Sequence, residues 1–166
     1  MKMNKVLLLL FAATFLFASS ADAQEYIPDT HTVALWHFNE VSGTIAEDSS
    51  DYNNNGTVIE ANWTDGCVFG NCLSFDGIND YVEVPDSDSL DLTTQGTIEA
   101  WIKTPGGGEG IIIAKGVEAG PGQFKYVFHR STPNGGRLRI VFEGNIGQHQ
   151  DLLGTTPVTD DQWHHV

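Results

Sequence analysis

Any chemistry on this chain has to come from carboxylates, histidines or oxygen-rich loops, since it carries 22 acidic residues and six histidines against eight basic ones. A retaining glycosidase holds two carboxyl groups about 5 Å apart, and an inverting one about 6.5–9.5 Å apart. The nearest candidate pairs are Glu83 with Asp86, broken by Pro85, and Glu40 with Glu47, which flank a turn. Neither spacing brings two carboxylates to one point. The histidines His31, His37, His129, His149, His164 and His165 show no metalloprotease spacing, and no Gly-x-Ser-x-Gly elbow occurs. The residues therefore argue against an enzyme.

Binding is better served. Calcium takes six to eight oxygen ligands, and two loops are rich in them. One holds Asp48, Asp51, Asn53 and Asn55, and the other Asp76, Asn79 and Asp80. Asp51-x-Asn53-x-Asn55-Gly56 matches the first half of an EF-hand loop, but its twelfth position is Asn62, where a bidentate Glu is required. These loops are the candidates for a structural Ca2+, with an Asn/Asp/Gly-rich turn as the rival explanation. The candidate ligand face is Trp101. It alternates with apolar neighbours on a strand, and Glu99 and Lys103 flank it on its own side. An aromatic ring stacks on the C–H face of a sugar, and flanking polar groups bond its hydroxyls. Coverage of Trp101 by the other sheet or by a loop is the competing reading. Trp36 and Trp163 alternate with core residues and read as structural.

The elements that must carry these residues are strands. From Thr32 onward apolar residues recur with period two, broken about every ten residues by Gly, Asn, Asp and Pro. In Thr97–Lys103, Ile98, Ala100 and Ile102 take one face and Glu99, Trp101 and Lys103 the other. Further strands are expected at Thr32–Phe38, Gly56–Glu60, Leu73–Asp76, around Val82, and at Gly110–Lys115, Phe124–His129, Arg137–Glu143 and Trp163 onward. Ser87–Leu92 reads as a single helical turn, and a turn is expected at Gly120-Pro121-Gly122. So many strands in one domain predict an all-β, antiparallel sandwich of two sheets.

Lys2 and Lys5 precede the apolar run Val6–Ala18, and Ala21-x-Ala23 closes it. That is the layout of a secretory signal over residues 1–23, too short for a spanning helix of about 20 residues. Residues 24–166 then form one domain, secreted, periplasmic or at the cell surface, with no membrane insertion after cleavage. Export permits a disulfide between Cys67 and Cys72, which would pin a short local turn. The net charge of −14 repels phosphate backbones and excludes nucleic acid as a partner. Glycans and extracellular proteins stay open as partners, and the oligomeric state is undetermined.

Several segments together resemble a known family. They are Leu35-Trp36-His37-Phe38-Asn39-Glu40, Asp48–Gly56, Phe69–Val82 with Leu73-Ser74-Phe75-Asp76-Gly77 at its centre, Ile98-Glu99-Ala100-Trp101-Ile102, and Trp163-His164-His165-Val166. In this order they resemble the laminin G-like jelly rolls of the concanavalin A-like lectin and glucanase superfamily. The resemblance implies a two-sheet jelly roll in which Trp163–Val166 opens a middle strand, so the domain is expected to be incomplete at its C-terminal end. It also implies that relatives bind calcium. The glucanase branch carries Glu-x-Asp-x-x-Glu on one strand, and that triplet is absent here. The expected function is a non-catalytic binding module, for carbohydrate or adhesion and supported by calcium. The alternatives are a protein–protein interaction or structural module, or the accessory domain of a secreted glycoside hydrolase.

Overall fold

The computed structural model describes residues 24–92, 95–106, 108–116, 125–131, 134–143 and 149–166. Residues 1–23, where a secretory signal is expected, and 120–122, where a turn is expected, lie outside the described residues. Among the described residues, no helix is long and apolar enough to cross a membrane.

The chain is almost wholly β, and every strand pair is antiparallel. Eleven strands are described: β1 Ile45–Ala46, β2 Gly56–Ile59, β3 Asn62–Cys67, β4 Gly70–Ser74, β5 Tyr81–Glu83, β6 Trp101–Lys103, β7 Gly110–Lys115, β8 Lys125–Ser131, β9 Arg137–Glu143, β10 His149–Pro157 and β11 Trp163–His165. They group as a three-stranded sheet β1-β2-β5, a four-stranded sheet β10-β9-β8-β7, and the ribbons β11-β6 and β3-β4. The four-stranded sheet is a meander of sequence neighbours. Its central strand β8 is the best buried, with Tyr126, Phe128, His129, Arg130 and Ser131 all covered.

A small apolar centre of Ala46, Val58, Tyr126, Phe128 and Val158 is buried. Ala46 and Val58 come from the three-stranded sheet, where Gly56 sits too close to Val82 to carry a side chain. A 3-10 turn, Asp88–Leu90, brackets the two larger sheets. Ser89 accepts the Asn54 amide at 2.9 Å, and the Leu90 carbonyl accepts the Tyr126 hydroxyl at 3.4 Å. Lys115 on β7 reaches back to the same turn, with its ammonium 2.9 Å from both Asp86 and Asp91 and 2.8 Å from the Ser87 carbonyl.

Thr32–Phe38 differs from expectation, forming only a one-residue bridge between Trp36 and Asp48. The Leu35 N–H goes to the Asp48 side chain instead of a neighbouring strand, and Phe38 at φ 54° breaks the extended run. Trp36 is anchored in place by donating its indole N–H to the Asn54 carbonyl at 2.8 Å. Strands β1, β3 and β10 are additions that periodicity did not announce.

Candidate functional site

The ribbon β6–β11 carries the candidate site. Its register pairs Trp163 with Lys103, His164 with Ile102 and His165 with Trp101, and Ala100 and Val166 exchange backbone bonds at 2.9 and 3.0 Å. Residues directly opposite share a face. Ile102 and His164 therefore take one side, and Trp101, His165, Lys103 and Trp163 the other. Glu99 continues that second face two residues before Trp101.

The outward face is built around Trp101, which stays 39% exposed. Its ring lies 5.1 Å from that of His165 with an interplanar angle of 31°, a tilted stack across the ribbon. Phe69 meets it edge-on, at 6.1 Å and 84°. Charged groups ring this aromatic patch. The Glu99 carboxylate is 3.9 Å from His165 Nε2, and the Lys103 ammonium is 3.9 Å from Asp161. Trp101, Glu99 and Lys103 thus share one face, as their alternation requires. Trp163 joins that face, half-buried, where alternation alone had read it as structural.

His165 and Phe69 are the members that sequence reasoning missed. The His165 pairing is a matter of register. The only signal for Phe69 is its place inside the Cys67–Cys72 loop, whose cysteines are joined as a disulfide.

Beside the ribbon lies a groove of about 380 Å3, lined by Leu138, Gly154, Thr155, Thr156, Val158, His164, His165 and Val166. His164 on this side contacts Asp160 at 2.7 Å. That bond, with the Gln162 N–H, holds the Asp160 carboxyl below its ordinary value.

The oxygen-rich loops are knitted to themselves. Asp48 is buried and accepts four hydrogen bonds. Oδ1 takes the Leu35 and Ser50 N–H groups, and Oδ2 takes the Ser50 hydroxyl and the Asn54 N–H, at 2.7–2.9 Å. Burial pushes this carboxyl up, but the hydrogen-bond donors outweigh it and hold it below its ordinary value. Asn55 Oδ1 accepts the Asp48 N–H at 2.8 Å, while Asp51 and Asn53 are exposed. In the second loop Asp80 accepts the Asp76 N–H at 2.6 Å, Asp76 accepts the Ile78 N–H at 2.8 Å, and Asn79 is exposed. A carboxylate has about four lone-pair sites, and those of Asp48 are all taken. Asp48 therefore does not fit as a calcium ligand in this arrangement. Among the described residues, no three His, Cys, Asp or Glu side chains converge as a metal group.

Of the carboxylates considered for hydrolysis, Glu40 is bonded through one oxygen only, its Oε2 being buried with no hydrogen-bond partner among the described residues. Glu40 Oε1 accepts the Glu47 N–H at 2.7 Å, which places Glu40 in a turn closure. Trp63 in β3 donates its indole N–H to the Gly43 carbonyl at 2.8 Å and ties the β3–β4 hairpin to that turn.

Residues 76–166 match the laminin G model of the concanavalin A-like lectin/glucanases superfamily. The chain belongs to that superfamily. The matched span holds the whole β6–β11 ribbon of this laminin G-like chain, with Trp101 and His165 in it. Among solved structures, it is similar to the crystal structure of an S-layer domain-containing protein from Clostridium thermocellum, with a TM-score of 0.60 at 19% identity. The match covers 78% of the laminin G-like chain and 60% of the S-layer chain, so it spans three fifths of that neighbour's length. No curated protein matches.

Proposed function

We propose that this laminin G-like chain is an exported, non-catalytic module that binds glycans on the outward face of the β6–β11 ribbon. The observation that carries the reading is the exposed Trp101 ring, stacked on His165 with Glu99 and Lys103 at its margins. A flat, half-exposed aromatic supplies the apolar surface on which a sugar ring rests, and the flanking charged groups reach its hydroxyls. Export rests on the Lys2, Lys5 and Val6–Ala18 signal pattern and on the Cys67–Cys72 disulfide, which suits an oxidising compartment. The similarity to an S-layer domain-containing protein is compatible with display at a cell surface.

The test is a glycan array probed with the purified protein and with Trp101→Ala. Binding to a defined set of neutral glycans, weakened about tenfold or more by Trp101→Ala, is expected, because one aromatic stacking contact is worth roughly 0.5–1.5 kcal/mol beyond its buried area. Silence across the array, or hits indifferent to Trp101, would replace this reading with a protein-interaction or structural module.

A further inference from the structure

Among the described residues the β3–β4 hairpin shares no strand ladder with another sheet, yet it reaches the site. Its tip, Cys67-Val68-Phe69-Gly70-Asn71-Cys72, is closed by the disulfide, with Cα atoms 6.0 Å apart. Its flank is fastened by the Trp63 indole on the Gly43 carbonyl, and the tip itself by the Asn71 amide on the carbonyls of Asn39 and Glu40, at 3.1 and 3.2 Å. What the tip delivers is Phe69, edge-on against Trp101.

We infer that the disulfide-closed hairpin is the positioning device of the Trp101 platform, with Phe69 as its positioning residue, so that ligand binding on this face depends on the Cys67–Cys72 bond. The inference rests on the glycan-binding reading for its ligand, but its structural core does not. A tryptophan on a solvated strand face has two side-chain torsions to lose on binding. A neighbour that fixes the ring beforehand removes that cost and tightens binding without touching the ligand. His165 supports one side of the indole, and the Phe69 edge limits its swing on another. Opening the disulfide loosens the tip that carries Phe69, which is then held only by the Asn71 amide and the Cys67–Gly70 strand pair. An oxidised protein therefore presents a fixed platform and a reduced one a loose platform, within the same fold.

The experiment follows the near-UV circular dichroism of Trp101, isolated as the difference between the wild type and Trp101→Phe. It is measured for Phe69→Ala, Phe69→Leu, Phe69→Tyr and Cys67→Ser/Cys72→Ser, and for the wild type with reductant. The Trp101 signal should collapse in Phe69→Ala and in both disulfide-free samples, and Phe69→Tyr, which keeps the aromatic edge, should retain it. Phe69→Leu fills the volume without that edge, so it should lose the signal even if Phe69→Ala fails to fold. On the glycan array, the same variants should bind the wild-type hits roughly three- to tenfold more weakly, the span of one aromatic contact. A Trp101 signal unchanged by Phe69→Leu and by reduction would overturn the inference. A signal that behaves as expected while the wild type binds no glycan would instead remove the glycan reading and leave the positioning role standing.

Discussion

Trp101 and His165 stand directly opposite each other on β6 and β11, with their rings 5.1 Å apart on the open side of the ribbon. Because both are partly exposed, the pair should matter more to what the face binds than to whether the domain folds. In a double-mutant cycle of Trp101→Ala and His165→Ala, the coupling read from urea unfolding is expected at or below about 1 kcal/mol, the range of cross-strand pairs. His165→Ala should still weaken glycan binding severalfold, because it leaves the indole supported on one side only. Equal losses of stability and binding in both single variants would mark the pair as packing and not platform.

Asp48 and Leu35 define a second relationship, a buried carboxylate holding the backbone of a segment with almost no strand partner. Asp48→Ala leaves three backbone N–H groups without their acceptor, while the Ser50 hydroxyl keeps the Val33 carbonyl, at about 1–3 kcal/mol for each group that stays buried. A total loss of about 3 kcal/mol or more is expected in urea unfolding at pH 7. The folded carboxyl lies below its ordinary value, so its contribution is complete above the unfolded range near pH 4 and is lost as pH falls through the lower folded value. The stability gap between the wild type and Asp48→Asn should therefore narrow on acidification to pH 3. A gap that stays constant would mean that the charge of Asp48 contributes nothing.

The same two sites show where sequence reading succeeds and where it stops. Gly110–Lys115 and Arg137–Glu143 are strands over the expected residues, because a short apolar run bounded by Gly and Lys in the first, and apolar alternation in the second, are local signals. The shared face of Glu99, Trp101 and Lys103 was legible for the same reason. Strand β3, Asn-Trp-Thr-Asp-Gly-Cys, has no alternation and exists through its ladder with β4 and the disulfide between them. Thr32–Phe38 alternates well, but a side chain far along the sequence takes the Leu35 hydrogen bond. His165 beside Trp101, and Phe69 against it, depend on register and on a hairpin reaching across the fold. Neither leaves a periodic trace.

Gly56 offers a packing test. It is buried on β2 opposite Ala46, and a Cβ placed there would lie 2.5 Å from Val82 Cγ1 and 3.3 Å from Val84 Cγ2. Valine is β-branched and has little rotamer freedom with which to retreat. Gly56→Ala should cost about 1–3 kcal/mol through overpacking. Adding Val82→Ala should recover part of that loss, so the double variant should be more stable than the sum of the single ones predicts. Strict additivity would show that the sheet shifts as a whole to admit the methyl group.

Calcium provides the last test, because Asp48 has spent its oxygens internally and, among the described residues, no three His, Cys, Asp or Glu side chains converge. Asp48 has four donors, Asn55 closes back on Asp48, and Asp76 and Asp80 each hold a backbone N–H. A cation on Asp48 would have to displace bonds that already satisfy part-buried and buried groups, and that cost offsets its own attraction. Thermal unfolding in millimolar Ca2+ and in EDTA should therefore agree within about 1 °C. A site a hundredfold above its Kd would add about 2.7 kcal/mol. For a domain of this size that raises Tm by more than about 5 °C. A shift of that size would show that the loops rearrange around the ion, and Asp48→Asn should then abolish it if Asp48 is a ligand.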